Sequence, residues 1–162
     1  MNAEIILTGS FGVGKSSIFN RFIHEEFNDK YYGTIGVRVN SREISTGEST
    51  INLKLWDVAG EVKQDKVPVA YFRSKDIILY VLDLTRPFTF SNVPDDLAYL
   101  KKNSPNSSLI VIGNKIDLLD EELLEEIKAK DFPIKVDWMI SAKTGENIEE
   151  LFLSIAKKHI NV

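Results

Sequence analysis

The sequence predicts an α/β fold of three layers, a mainly parallel sheet covered by helices on both faces. Three observations carry this. Apolar strand-like runs alternate with helical patterns along the chain. The run Ile77–Asp83 is nearly continuous in Ile, Leu and Val, as a central strand buried on both faces requires. An early apolar run also passes through a glycine-rich loop, Gly9–Ser16, straight into a helical pattern.

The first strand centres on Ile5-Ile6-Leu7, and a helix follows over about 15–26. A polar stretch with tyrosines and glycines, Asn28–Gly36, separates it from two extended runs, Val37–Ser45 and Thr50–Asp57. Thr46-Gly47-Glu48-Ser49 between those runs reads as a hairpin turn, which makes one edge strand antiparallel. After the strand Ile77–Asp83 comes a helix over about 91–103, with Pro94 leaving its start open. Leu109–Ile112 is the fifth strand, an acidic helix lies near 119–130, and Ile134–Ile140 is the sixth strand. The last helix, about 146–159, places Ile148, Leu151, Phe152, Ile155 and Ala156 at helical spacing. Six strands and about five helices are thus expected in one domain spanning 1–162, with no repeat and no dividing linker.

The 162 residues suffice for one three-layer core. A net charge of −4 argues against a nucleic-acid-binding surface. The lack of cysteine excludes disulfides and thiolate metal sites and fits the cytoplasm. No apolar run is long enough to span a bilayer. Residue 2 is Asn rather than Gly, and there is no cysteine to prenylate. A cytoplasmic monomer without an intrinsic membrane anchor is the expectation.

Gly9-Ser10-Phe11-Gly12-Val13-Gly14-Lys15-Ser16 has the spacing of a phosphate-binding loop. Its glycines let backbone N–H groups turn inward around phosphate oxygens, and the following helix aims its positive end at the same place. Lys15 supplies a cation for the β- and γ-phosphates, and the Ser16 hydroxyl suits Mg²⁺. Asp57-Val58-Ala59-Gly60 closes a strand. An aspartate there is a turn residue in most proteins, but beside such a loop it is placed to hold Mg²⁺, commonly through water. Asn114-Lys115-Ile116-Asp117 closes another strand on the same rim. A buried carboxylate at Asp117 would accept from N1–H and the 2-amino group of guanine, a pair adenine lacks; the bland alternative is a turn. Ser141-Ala142-Lys143 is short, and its position gives it meaning: the Ala142 N–H could meet guanine O6. A P-loop kinase using ATP would leave Asp117 without a role. Glu121, Glu122, Glu125 and Glu126 read as a solvated helix face, and His24 and His159 stand alone.

Together with Thr34, these motifs resemble the Ras superfamily of small GTPases over essentially the whole chain. Trp56 before Asp57, Thr34-Ile35-Gly36-Val37, Tyr71-Phe72-Arg73 and Val81-Leu82-Asp83-Leu84-Thr85 look more like its Rab branch. The resemblance implies a G domain that binds GTP or GDP with Mg²⁺ and hydrolyses GTP. It implies metal ligands at Ser16, Thr34 and Asp57, and catalytic roles for Lys15, Thr34, Gly60 and the residue after Gly60. Nucleotide contacts would come from Gly12, Val13, Gly14, Lys15, Ser16, Ser17, Phe27, Thr34, Gly60, Asn114, Lys115, Asp117, Ser141, Ala142 and Lys143. Residues about 28–37 and 58–73 would be the two switches, ordered by the γ-phosphate and read by an effector, an exchange factor and a GTPase-activating protein.

Two residues depart from the family pattern. Glu61 stands where a Gln orients the attacking water, and a carboxylate cannot donate to the γ-phosphate as an amide does. Phe11 stands where a small residue is usual; it either crowds the γ-phosphate or points outward and shields the nucleotide. No arginine precedes Thr34 in switch I to act in cis. Slow hydrolysis is the expectation, with a GTP-loaded scaffold as the alternative.

Overall fold

The computed structural model describes every residue except Asp29, Tyr31, Tyr32, Glu48, Val62 and Val162. Its strands are β1 (Asn2–Thr8), β2 (Val37–Ser45), β3 (Thr50–Val58), β4 (Ile77–Asp83), β5 (Ser108–Asn114) and β6 (Trp138–Met139). Its α-helices are α1 (Lys15–His24), α2 (Ala70–Arg73), α3 (Val93–Asn103), α4 (Glu121–Lys128) and α5 (Ile148–Ile160). The sheet order is β2-β3-β1-β4-β5-β6. Only β2 runs antiparallel to its neighbour; all other pairs are parallel. The three-layer α/β expectation therefore holds, antiparallel edge included.

Alternation along the strands divides the core in two. Ala3, Ile5 and Leu7 of β1 and Ile77, Leu79 and Val81 of β4 point to one face. Ile6, Ile78, Tyr80 and Leu82 point to the other. Every β4 residue is buried, which is why that run carries no polar alternation. Helices α1 and α5 cover the first face through Ile18, Phe22, Leu151 and Phe152, with the Phe22 and Phe152 rings stacked. Fully burying each such side chain contributes about 1.5–3 kcal/mol. Val93 and Leu100 of α3 and Ile127 of α4 cover the second face.

Two boundaries differ from expectation, and one short helix was not expected. Helix α3 begins at Val93 after a 3-10 turn, Pro87–Asn92. Pro94 sits in its first turn, where a missing N–H breaks no helical bond. Strand β6 shrinks from the expected 134–140 to two residues, because it is the sheet edge and Pro133 precedes it. Single backbone bonds, from Asp137 N–H to Val111 O (2.9 Å) and from Ile140 N–H to Gly113 O (2.8 Å), extend the pairing on either side. The short helix α2 had no sequence signal. The expected hairpin turn is closed by Thr46 N–H on Ser49 O at 2.9 Å, with Glu48 outside the described residues. Among the described residues no helix is long and apolar enough to cross a membrane.

Strands β1, β3, β4 and β5 end on one rim, and the chain reverses its order across the sheet between β1 and β4. Open α/β sheets bind ligands at such a switch point.

Candidate functional site

That rim opens into a cavity of about 680 Å³. Thirteen of the expected site residues line it: Gly12, Gly14, Lys15, Ser16, Ser17, Phe27, Thr34, Gly60, Asn114, Lys115, Asp117, Ala142 and Lys143. The remaining four, Val13, Asp57, Glu61 and Ser141, do not. Val13 packs into the core, and Asp57 and Ser141 are buried behind the wall. Glu61 is half-buried outside the cavity, although Gly60 before it lines the wall. Parts of both expected switches, at Asp29, Tyr31, Tyr32 and Val62, lie outside the described residues.

The loop between β1 and α1 forms the floor. Gly14 has φ of 102°, and a side chain there would come within 2.2 Å of Asn114 Nδ2. Only glycine suits that point. Gly14 O is the first acceptor of α1, from Ile18 N–H at 2.9 Å, so the N–H groups ahead of Ile18 have no partner within the helix. Those donors and the helix dipole favour an anion. Lys15 Nζ donates to Gly9 O (3.0 Å) and Ser10 O (2.7 Å). Burial pushes the Lys15 ammonium down to about 8, the Asp57 charge opposing and Arg86 adding to the shift. Phe11 lines the cavity while half-exposed, so it both borders that space and faces solvent.

A cluster of oxygens stands beside Lys15. Ser16 Oγ lies 2.7 Å from Thr34 Oγ1 and donates to Asp57 Oδ2 at 2.7 Å. Adjacent ligands of an octahedral Mg²⁺ lie about 2.9 Å apart, given Mg–O near 2.05 Å. Asp57 is fully buried, and its Oδ1 has no hydrogen-bond partner. A buried carboxylate with an idle oxygen beside two hydroxyls is a donor set that fits a hard cation. Among the described residues no group of three or more His, Cys, Asp or Glu could hold a metal. The set therefore suits an ion that draws its other ligands from phosphates and water.

The far wall is tied to the floor. Asn114 Nδ2 donates to Val13 O (3.0 Å), and Lys115 Nζ donates to Gly12 O (2.9 Å). Lys115 also pairs with Asp83 at 2.7 Å. Its backbone is left-handed, φ 72°, an uncommon conformation for a lysine and one concentrated at functional sites. Ser141 Oγ donates to Asp117 Oδ1 at 2.6 Å and aims that carboxylate. Two details correct the sequence reading. Asp117 is exposed rather than buried, because it sits on the open rim in a 3-10 turn. The Ala142 N–H does not point free for a guanine O6; it donates to Asn114 Oδ1 at 3.0 Å. Asn114 and Ser141 brace other residues here through their side chains.

Several residues at the site went unread in the sequence. Asp83, at the end of β4, holds both Lys115 and Arg86, and Arg86 Nη2 donates to Phe11 O at 2.9 Å. A carboxylate at the end of a central strand was a usable signal, the same one that picked out Asp57. Arg21 on α1 clamps the loop after β6 through Ala142 O (2.9 Å) and Lys143 O. Gln64 is buried beyond Gly60: its backbone N–H donates to Asp96 at 2.9 Å and its Oε1 accepts from Thr8. Arg38 reaches Asp57 itself. No periodicity or motif marks these three.

Comparison with known proteins agrees with this geometry. The model of the Ras family matches residues 4–161. Human Ras-related protein Rab-4B is 35% identical over 162 residues, covering 98% of this chain and 76% of that protein. The fission-yeast GTP-binding protein ypt5 is 31% identical over 98% of the chain and 78% of its own length. Ras-related protein Rab-1D of Dictyostelium discoideum is 32% identical over 95% and 78%. A phosphate loop, a strand-end aspartate and an Asn-Lys-x-Asp turn around one cavity accompany these likenesses. The chain belongs to the Ras family of small GTPases, and is a Rab-like, GTP-binding molecular switch.

Proposed function

We propose that this GTPase binds GTP with Mg²⁺ and hydrolyses it slowly to GDP and phosphate, and that partners read its state through residues 28–37 and 58–73. The observation that carries this is the meeting of Ser16, Thr34 and Asp57, from three separate segments, beside the phosphate loop. It supports a site in which switch I brings Thr34 to a metal–phosphate centre held by Ser16 and Asp57. Bound Mg²⁺ would supply charge neutralisation at the β- and γ-phosphates.

Loop N–H groups and the buried Lys15 would bind and orient the phosphates and stabilise charge developing in transfer. Thr34 would report the γ-phosphate, and the backbone at Gly60 would carry that report to switch II. Phe27 and Lys143 would flank the base, with Asp117, aimed by Ser141, choosing guanine. Glu61 would be left with the task of orienting water. Its position outside the cavity supports a low rate, and likewise favours the second reading, a GTP-loaded scaffold. An effector, an exchange factor and an activating protein are the partners proposed, with a monomer in the cytoplasm as the working form.

Single-turnover hydrolysis of preloaded GTP, followed as GDP formation, tests this. The expected result is a slow but protein-dependent rate, raised at least tenfold, on the order of a single positioning contact, by Glu61→Gln combined with Phe11→Gly. GTP retained intact for many hours by both proteins would favour the scaffold.

A further inference from the structure

Asp57 Oδ2, the carboxylate oxygen that faces Ser16, is shared with a cation from the protein itself. Arg38 Nη2 lies 2.7 Å from it and Nε 3.2 Å. The contact follows from the sheet: Arg38 and Asp57 are directly opposed partners across the antiparallel β2–β3 pair, so their side chains leave the same face. The guanidinium is also steadied from two other sides. Its Nη1 donates to Asn20 Oδ1 at 3.3 Å, and its carbon sits 4.8 Å from the centre of the Phe19 ring.

We propose that Arg38 is an internal counter-cation of the metal site, occupying the Asp57 carboxylate when Mg²⁺ is away and giving it up when Mg²⁺ binds. This rests on the reading of Ser16, Thr34 and Asp57 as the metal site. A carboxylate buried without a partner is costly, and the guanidinium removes that cost in the metal-free state. Arg38 and the ion would compete for one carboxylate, and two cations drawn to the same buried group repel each other. The side chain is 43% exposed, so it has an open path to solvent when displaced. Two consequences follow. Mg²⁺ is held more weakly than the three oxygens alone would hold it. The nucleotide complex survives metal loss better than it would with Asp57 bare. Because Arg38 stands two residues after Gly36, displacement of its side chain would also register metal binding at the foot of switch I.

The test is a Mg²⁺ titration of protein loaded with a fluorescent GDP analogue, read as nucleotide release rate against free Mg²⁺. Arg38→Gln should reach half-protection at about tenfold lower Mg²⁺, since no charge-assisted bond has to be given up. In excess chelator the same variant should release nucleotide several-fold faster than the unmodified protein. Arg38→Lys keeps the charge without the fork and should fall between the two; it also decides the matter should Arg38→Gln fold poorly. A half-point in the folded variants that is unchanged, or moved to higher Mg²⁺, would overturn the proposal while leaving the metal site standing. Release indifferent to Mg²⁺ in every protein would instead reject the metal site, and the proposal with it.

Discussion

Lys15 is buried under the loop that it completes, and its amine is held by two carbonyls of that loop. Burial pushes the Lys15 ammonium down to about 8, so the expected state of the unliganded protein at pH 8 is roughly half neutral amine. A phosphate beside it restores the charged form. Binding of GDP at pH 8 should therefore take up about half a proton at this residue, and about a tenth of one at pH 7. Calorimetry in two buffers of different ionisation enthalpy measures that uptake directly; equal, negligible uptake at both values would remove the claim. The unliganded protein shows the same coupling with opposite consequence. Unfolding raises Lys15 back toward 10.5, so the unfolded chain binds more protons between pH 8 and 10.5, and folding stability from this residue rises with pH across that window. At this scale the sequence was informative wherever a motif fixes a backbone shape, as at Gly14 and Lys15. It was silent where a side chain is recruited by tertiary register, as at Arg38 and Arg21.

Four loops, each at the end of a different strand, must hold a common shape, and Asp83 at the end of β4 is what joins three of them. It accepts from Thr85 N–H (2.9 Å), pairs with Arg86 (3.0 Å) and Lys115 (2.7 Å), and through those two cations reaches Phe11 O and Gly12 O. Burial disfavours its charge, but Lys115, the Thr85 hydroxyl and the Thr85 backbone N–H outweigh burial and hold the carboxyl below its ordinary 3.8. A lowered carboxyl contributes stability above pH 3.8 and loses it as pH falls through the folded value. Asp83→Asn should cost about 2 kcal/mol at pH 7, less than a fully buried pair would because both cations are partly exposed. Denaturant unfolding should show that difference shrinking toward zero as pH falls from 4 toward 2, and a constant difference would refute the ionic origin. Element boundaries divide by the same logic. The buried strand Ile77–Asp83 was read to the residue because both faces demand apolar side chains. The edge strand was overestimated: Ile134 is buried in the core without joining the ladder, and apolar content alone does not separate those cases. The four-residue α2 is too short to show periodicity at all.

The three layers and the antiparallel edge were legible because alternation of strands and helices admits few topologies, whereas the order of the strands in the sheet came only with the structure. The coupling of the cavity to the rest of the molecule was not legible either, since it depends on contacts between residues as distant as Asn114 and Val13 or Lys115 and Gly12. Those contacts join the end of β5 to the loop after β1 on one rim, so a ligand in the cavity should stabilise the fold as a unit. A ligand that binds only the folded state adds RT ln(1 + [L]/Kd), about 4 kcal/mol at a thousandfold excess over Kd. For a domain of this size 1 kcal/mol shifts Tm by about 2–4 °C, so removing GDP and Mg²⁺ should lower Tm by roughly 8–16 °C. Each tenfold rise in free GDP above Kd should restore about 3–6 °C, a slope set by the linkage alone. ADP at the same concentrations should give no such slope, because Asp117 offers adenine no complementary pair. Thermal scans across a GDP and an ADP series measure both. Parallel slopes would mean that phosphates alone carry the affinity and that the Asp117 wall does not choose the base; a flat GDP series would mean that the folded protein has no preferential affinity for GDP at these concentrations.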